Sequence, residues 1–488
     1  MNYISTIIFF PFFGSLFLCF SSFDHRFLKQ IGLFSCLISL SISLFIWVFF
    51  DNSTSNFQFV EEFVWFKDLQ WSLVFGVDGI SLFFVILTNV LTSLCLLISW
   101  HGGNKSIKIT RNYYASFLVI QSLILIVFTT IDLVIFYIFF ESVLIPMFII
   151  IGIWGTRERK VRASFLFFLY TLVGSLFILL AILLIFFEVG STNYFILIQY
   201  SFSFFHQKIL WFAFFISFAV KVPILPFHIW LPEAHVEAPT AGSVMLAGIL
   251  LKLGTYGFIR YSLPLFPLGT LFYKPLIYVI ASVAVVYTSI TALRQTDIKR
   301  VIAYASVAHI NMTIIGLFSL NLVGIEGSIF QIIAHGVVSG ALFICVGVLY
   351  DRYHSRLIQY YGGFSQVIPI FIFFFLFFSM ANIALPGTCS FVGEFIILAG
   401  IIKDNFFITF ISATSIVLGG GYSLWLFNRI SYGSLKMQFI SFSSDVTKKE
   451  FFVLSSLCFF AIFMGIFPSI FFKSMHFSCN FILKQIII

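Results

Sequence analysis

Apolar stretches of about 20 residues, each closed by a few polar ones, follow one another along nearly the whole chain, a length that fits a bilayer core of about 30 Å. Fourteen can be marked off, at 3–20, 31–50, 78–100, 113–130, 131–153, 164–187, 209–231, 243–262, 274–293, 301–320, 327–350, 366–402, 405–428 and 451–472. The fold class expected is all-α: a polytopic membrane protein of about fourteen transmembrane helices. Of 488 residues, 60% are hydrophobic and 9% charged, against about 25% charged in a soluble domain. A mean hydropathy of +1.08 excludes a soluble enzyme and disordered, coiled-coil or collagen-like chains. The opening MNYISTIIFFPFFGSLFLCF lacks a basic leader and a small-residue cleavage site, and no Arg- and Ser-rich transit peptide is present, so it reads as a retained first helix.

Loop charges give the orientation. Assigning loops to alternate faces puts 18 of the 27 Lys and Arg residues on one side, among them Lys105, Arg157, Arg159, Arg294, Arg429 and Lys436. The other side receives seven, including Lys67, Lys208 and Arg260, and the acidic stretch Asp51, Glu61, Glu62 and Asp68. An even number of spans puts both termini on this less basic face. The net charge of +8 reflects those loops, and no basic-aromatic patch points to nucleic acid. Asp297, Lys299, Arg300, Asp351 and Arg352 are expected to pair at the basic face as exposed ion pairs of about 0–1 kcal/mol each. The seven cysteines, Cys19, Cys36, Cys95, Cys345, Cys389, Cys458 and Cys479, lack the spacing of a zinc or iron–sulfur site, so they are expected to be small buried hydrophobes in a chain without a metal. The 71 phenylalanines suit an AT-rich organellar genome.

Two cations fall inside spans. Lys221 lies about twelve residues into 209–231, near the bilayer midplane at about 1.5 Å per residue, where a charge costs about 3 kcal/mol or more. Lys252, Glu141, His309 and His335 lie about eight to ten residues deep in theirs, and Glu394 follows a break in ANIALPGTCSFVGEFIILAG. One buried histidine is as readily a satisfied core group as a functional one. Six ionisable groups at similar depth favour a chain across which protons hop, because burial and neighbouring charge both tune such groups.

Two spans are interrupted, by Pro223 and Pro226 just after Lys221 and by Pro386-Gly387 just before Glu394. Freed backbone groups at membrane depth are tolerated only where protein or water lines a cavity. Counting from the fourth span, each break is in the fourth helix of a five-helix block, and tandem blocks of odd length must have opposite membrane orientation. The expected organisation is an N-terminal three-helix segment (1–112), a first five-helix repeat (113–262), an inverted second (263–428), and a C-terminal loop with the last transmembrane helix (429–488).

The stretches KVPILPFHIWLPEAHVEAPTAGSVMLAGILLKLGTYGFIR (Lys221 to Arg260), FFESVLIPMFIIIGIWG (Phe139 to Gly155), LRQTDIKRVIAYASVAHINM (Leu293 to Met312) and LPGTCSFVGEF (Leu385 to Phe395) closely resemble the chain 4 family of respiratory complex I, NADH:ubiquinone oxidoreductase, in its mitochondrial, plant- and alga-like form. The resemblance covers about residues 30–470 and extends to subunits of multisubunit sodium/proton antiporters. It implies a fourteen-helix antiporter-like subunit of the membrane arm, in the mitochondrial inner membrane with its basic loops toward the matrix. Redox energy released elsewhere in the complex would drive proton translocation here. By motif, Glu141 would be the acid paired with Lys221, the pumping lysine; Lys252 the bridging lysine; His309 and His335 a continuing hydrophilic axis; and Glu394 the terminal acid. His228, His235 and Glu237, on the stretch after the first break, are open to two readings: guiding protons to Lys221, or holding a tightly packed loop. Asp132 is likewise either an exit contact or a helix cap.

The chain has no GxGxxG after a strand, no cluster-binding cysteine set and no flavin site, so NADH, FMN, iron–sulfur clusters and ubiquinone are expected in partner subunits and no cofactor in this chain. Expected partners are the other membrane-arm subunits, the other antiporter-like ones included, and membrane lipids such as cardiolipin. The alternative function is a sodium/proton antiporter subunit; a third reading, a scaffold that transports nothing, leaves six midplane ionisable groups unexplained.

Overall fold

The computed structural model describes residues 2–21, 24–66, 71–101, 106–436 and 444–487; Lys67, Asp68 and Lys105 lie outside them. Among the described residues, twelve helices are long and apolar enough to cross a membrane. They run from Tyr3–Phe20 to Lys448–Ile466 and fall on twelve of the stretches marked in the sequence. Of the remaining two stretches, 209–231 holds the helix Phe204–Lys221 only as far as Lys221, and 366–402 holds two shorter helices, Pro369–Asn382 and Cys389–Ile401.

The breaks have local causes. Pro223 and Pro226 lack the N–H that would continue the helix ending at Lys221. At the second break the chain turns through Ala384 (φ 65°) and Gly387 (φ 91°), the latter in left-handed backbone that glycine adopts without strain. A milder break divides the span Leu133–Trp154 into Leu133–Ser142 and Leu144–Trp154, where Pro146 cannot donate to the Ser142 carbonyl. In the span Thr240–Leu265, two π-helical stretches, Leu246–Leu250 and Phe258–Ser262, flank the seven-residue α-helix Leu251–Gly257 that carries Lys252.

Two elements lie outside the helical pattern expected. Gln58–Phe66 and Trp71–Val77 pair as an antiparallel hairpin. The buried Glu61 on its first strand accepts Ile4 N–H at 2.9 Å and Ser5 N–H at 3.0 Å, serving orphan donors at the start of Tyr3–Phe20 that the Asn2 side chain leaves unbonded. The last expected stretch does not end the helical chain: Pro468 starts a further helix, Pro468–Ile487.

The chain divides into two compact units, one of Met1–Val222, Ile249–Lys274 and Lys473–Ile488, the other of Pro223–Gly248 and Pro275–Phe472. In the first, the Gln121 amide donates to Ser39 Oγ and Asn89 Oδ1, both at 2.8 Å, and accepts the Cys36 thiol at 2.9 Å, tying His25–Val48, Ser81–Ile98 and Ile107–Thr129 together. Hydrocarbon gives apolar helices little reason to associate, so such bonds and close packing hold spans together. Of the cysteines, all seven are free thiols; Cys36, Cys95, Cys345, Cys389 and Cys479 are buried, whereas Cys19 is exposed and Cys458 half-buried.

In the second unit Arg300 and Arg352, expected to pair with Asp297 and Asp351 at the basic face, find other carboxylates. Arg300 pairs with Glu233 at 2.6 Å and Arg352 with Glu450 at 2.8 Å, while Asp297 caps Ile298–Leu317 by accepting Lys299 N–H at 3.0 Å. Lys299 is not an exposed partner at all. It is 1% exposed, and its ammonium donates to the Ala238 carbonyl at 2.8 Å and Ser243 Oγ at 3.1 Å. The buried Arg356 donates to the Val236 carbonyl. Carbonyls left at the end of Trp230–Glu237 thus draw two cations inward.

Candidate functional site

The first unit brings Glu141 and Lys221 together. Lys221 is the final residue of Phe204–Lys221 rather than a mid-helix residue, so the helix dipole there favours its positive charge. Glu141 occupies the last turn of Leu133–Ser142, where the dipole opposes a negative charge. The Lys221 ammonium lies 3.6 Å from Glu141 Oε1, donates to the Phe140 carbonyl at 2.7 Å and stands 3.3 Å from the Phe140 ring centroid. Glu141 Oε1 is buried and has no hydrogen-bond partner among the described residues. The ion pair is therefore close but not clamped: the lysine's direct bond is to a neutral carbonyl, and the carboxylate contributes field. A proton arriving at Glu141 removes that field without breaking the lysine's own hydrogen bond, an arrangement suited to coupling the two protonation states.

Lys252 is buried in the same unit, 1% exposed. Gly254, two residues on, sets the approach of its span to Lys221: a Cβ there would lie 2.6 Å from Val222 Cγ2 and 3.2 Å from Lys221 Cβ. Farther along this span Arg260 pairs with the buried Asp78 at 2.6 Å, and its Nε donates to the Tyr256 hydroxyl at 3.2 Å. Asp132 is a helix cap, its Oδ1 accepting Val134 N–H at 2.9 Å and Ile135 N–H at 3.1 Å and its Oδ2 the Thr192 hydroxyl at 2.7 Å. Burial pushes its carboxyl above the ordinary carboxylate range, with those three donors pulling the other way.

The second unit brings His309, His335 and Glu394 together. His309 Nδ1 and Glu394 Oε1 are 2.8 Å apart, and the His309 and His335 ring centroids 5.9 Å. Sequence reasoning missed Gln331, whose amide donates to the same Glu394 Oε1 at 3.1 Å. The readable signal was its place four residues before His335, on the same helical face. Gln331 Oε1 and His309 Nε2 are buried without a hydrogen-bond partner among the described residues. Buried polar atoms without a partner are uncommon in folded proteins, and these two belong to the same acid–histidine cluster. A neutral Glu394 carries a proton that an amide oxygen can accept, so Gln331 can serve either protonation state by turning its amide.

The stretch carrying His228, His235 and Glu237 is also in the second unit, and much of it is helix, Trp230–Glu237, rather than loop. All three side chains are buried; His235 stacks on Phe343 with centroids 4.6 Å apart, and His228 lies 5.9 Å from the Tyr287 ring. Lys299 and Arg356 fix the backbone on either side of Glu237. Among the described residues, no group of three or more His, Cys, Asp or Glu side chains is placed to hold a metal ion.

A many-span membrane protein with a broken helix beside an acid–lysine pair whose lysine is buried, and another beside an acid–histidine pair whose acid is buried, is of the antiporter-like class. Residues 130–419 match the family described as NADH:quinone oxidoreductase/Mrp antiporter, TM. The chain is 51% identical to NADH-ubiquinone oxidoreductase chain 4 of Marchantia polymorpha, over 98% of this chain and 96% of that one. It is 52% identical to the chain 4 of Arabidopsis thaliana over the same shares, and 52% to that of Prototheca wickerhamii over 99% and 95%. The chain belongs to the NADH-ubiquinone oxidoreductase chain 4 family. Its fold is similar to that of a chain in respiratory complex I from Thermus thermophilus with bound NADH, with a TM-score of 0.90 at 25% identity covering 99% of each. A chain of an archaeal membrane-bound sulfane sulfur reductase shares the fold, with a TM-score of 0.83 at 20% identity over 96% of this chain and 76% of that one.

Proposed function

We propose that this chain is a core membrane-arm subunit of respiratory complex I that carries protons across the mitochondrial inner membrane, driven by NADH oxidation and ubiquinone reduction in partner subunits. The observation that carries the reading is the pair of half-buried Glu141 and buried Lys221 at 3.6 Å, with the lysine at the broken end of its helix. Proton-carrying roles fall to Glu141, Lys221 and Lys252 in the first unit and to His309, His335 and Glu394 in the second. With Glu141 ionised, the Lys221 ammonium is balanced by carboxylate, carbonyl and ring. With Glu141 neutral, its buried charge is uncompensated and its proton is driven onward. At Glu394, His309 and Gln331 hold the carboxylate through one oxygen, and the imidazole is the group to which its proton passes. His228, His235 and Glu237 are proposed for proton uptake.

The wider breaks support the inverted repeats: in the blocks beginning at Ile107 and at Pro267 they fall in the fourth of five spans, the milder division of Leu133–Trp154 in the first block aside. NADH, FMN, iron–sulfur clusters and ubiquinone are assigned to partner subunits, and the partners are the other membrane-arm subunits and lipids such as cardiolipin, not nucleic acid. The matched family also includes antiporters, so a sodium/proton antiporter subunit is the competing reading; near-full-length identity of about half to chain 4 proteins favours the first. Native electrophoresis of membranes in mild detergent, stained for NADH dehydrogenase activity, tests it. This chain, identified by mass spectrometry, should comigrate with a very large NADH-oxidising band. Its occurrence only in a smaller, NADH-inactive assembly, with sodium-dependent proton exchange, would refute it.

A further inference from the structure

Between the Glu394–His309 pair and the basic face, the second unit encloses a cavity of about 20 Å³, room for one water. Its place follows from the helices that line it. Ala305 lies four residues before His309 on Ile298–Leu317, and Leu342 seven after His335 on Leu322–Tyr353, each on the helical face of its histidine and nearer the basic end of its span. Ser379 and Asn382 come from the end of Pro369–Asn382, just before the break that precedes Glu394, and Tyr422 and Ser423 from Phe406–Ser431. Four polar side chains around so small a space supply the two to four partners a buried water needs. The Asn382 amide donates to Ser423 Oγ at a long 3.4 Å and also engages the Tyr422 hydroxyl, which lies within electrostatic reach of Glu394. Toward the basic face a second cavity, of about 740 Å³, is lined by Trp425, Asn428 and Arg429. Tyr422, Ser423 and Leu426 of the same helix line the inner one, so the two cavities lie on successive turns with Leu426 at the boundary. Polar groups buried within a span are costly unless they face one another or water; these form a seam from the open cavity to the carboxylate.

We propose that this seam is a proton uptake route of the second unit: water admitted past Leu426 is held by Asn382, Ser423 and Tyr422 and passes a proton to Glu394. The Tyr422 hydroxyl takes a proton from the hydrated side as its own moves to the carboxylate, so the hydroxyl ends unchanged, the water has lost one proton and Glu394 is neutral. His309 and Gln331 both bond Glu394 Oε1, which leaves Oε2 as the accepting oxygen. Arg294, Arg429 and Lys436 at the outer cavity attract anionic buffer acids, which at neutral pH carry far more protons than hydronium does. The inference rests on the reading that Glu394 carries protons, and it gives that acid an entrance separate from His228, His235 and Glu237.

The test is NADH-driven proton translocation by the assembled complex in sealed vesicles, with pH varied separately at the two faces. Tyr422→Phe and Ser423→Ala keep the packing and each remove one hydrogen bond to the water, which lowers its occupancy about fivefold, an amount offset by about 0.7 pH unit of added acid. On the alkaline limb each variant should therefore need a basic-face pH lower by that amount to match wild type, while acid at the opposite face should restore nothing. Leu426→Ala, which widens the boundary, should shift the limb the other way. Wild-type profiles in Tyr422→Phe and Ser423→Ala would overturn the proposal. So would a loss equal at every pH, the mark of structural damage, or recovery by acid at the opposite face alone, which would make the seam an exit. If either variant fails to assemble, Asn382→Leu, similar in size, carries the comparison. Glu394→Gln separates the two claims: wild-type pumping there means that Glu394 carries no proton, whereas lost pumping there with wild-type profiles in the Tyr422 and Ser423 variants means that only this route is wrong.

Discussion

Glu141→Gln keeps the shape of the first acid and removes its charge. At 3.6 Å, two unit charges interact by about 4–5 kcal/mol at an effective dielectric of about 20. The Lys221 ammonium would lose that stabilisation and keep only the Phe140 carbonyl at 2.7 Å and the ring beside it. It would no longer alternate between a compensated and an uncompensated charge, which is the property proposed to drive its proton onward. The assay is NADH-driven acidification in proteoliposomes holding the assembled complex, read by a pH-sensitive dye alongside the NADH oxidation rate. Glu141→Gln should assemble, lose most proton translocation and, where coupling is tight, slow NADH oxidation with it; Glu141→Asp should keep part of both. Wild-type pumping and wild-type NADH oxidation in Glu141→Gln would refute the role of the pair.

Gln331→Leu removes a hydrogen bond to Glu394 worth about 1.5–3 kcal/mol when the carboxylate is charged; proton translocation should slow and its pH profile shift in complexes that assemble normally, and an unchanged profile would leave Gln331 as packing. Gly254→Ala places a methyl 2.6 Å from Val222 Cγ2, which should destabilise the first unit by about 1–3 kcal/mol and lower the melting temperature of the assembled complex. Asp132→Asn keeps an oxygen that can cap the helix. Because the folded carboxyl is raised, its contribution to stability is full below the unfolded value and lost as pH rises through the folded one. The amide, which does not ionise, should therefore match wild type in acid and equal or exceed it at neutral pH, with pumping unchanged; a pumping defect would revive the exit reading.

The spans were legible because hydrocarbon imposes one rule, about 20 apolar residues per crossing, that needs no tertiary knowledge. Both breaks were legible for the same kind of reason: proline lacks a donor wherever it stands. The paired strands Gln58–Phe66 and Trp71–Val77 were not, since their polar residues, Glu61 and Glu62 among them, read as an acidic loop until Glu61 is seen meeting the N–H groups of Ile4 and Ser5. Lys299 shows the limit from the other side. In TDIKR it looks like a surface charge, and only the fold brings the Ala238 carbonyl and Ser243 to it. Of the site, the buried charges announced themselves by their cost; Gln331, which is neutral, did not, and its importance lies in a partner 63 residues away.

Lys221→Met, in the assembled complex in sealed proteoliposomes, bears most directly on the claim that the ionisable groups within the spans of this chain carry protons, through the number of protons translocated per NADH oxidised. A fall in that ratio, or loss of turnover as a coupled whole with assembly intact, is the expected result. The wild-type ratio at the wild-type rate would mean that Lys221 and its carboxylate are architecture, and that the protons cross elsewhere.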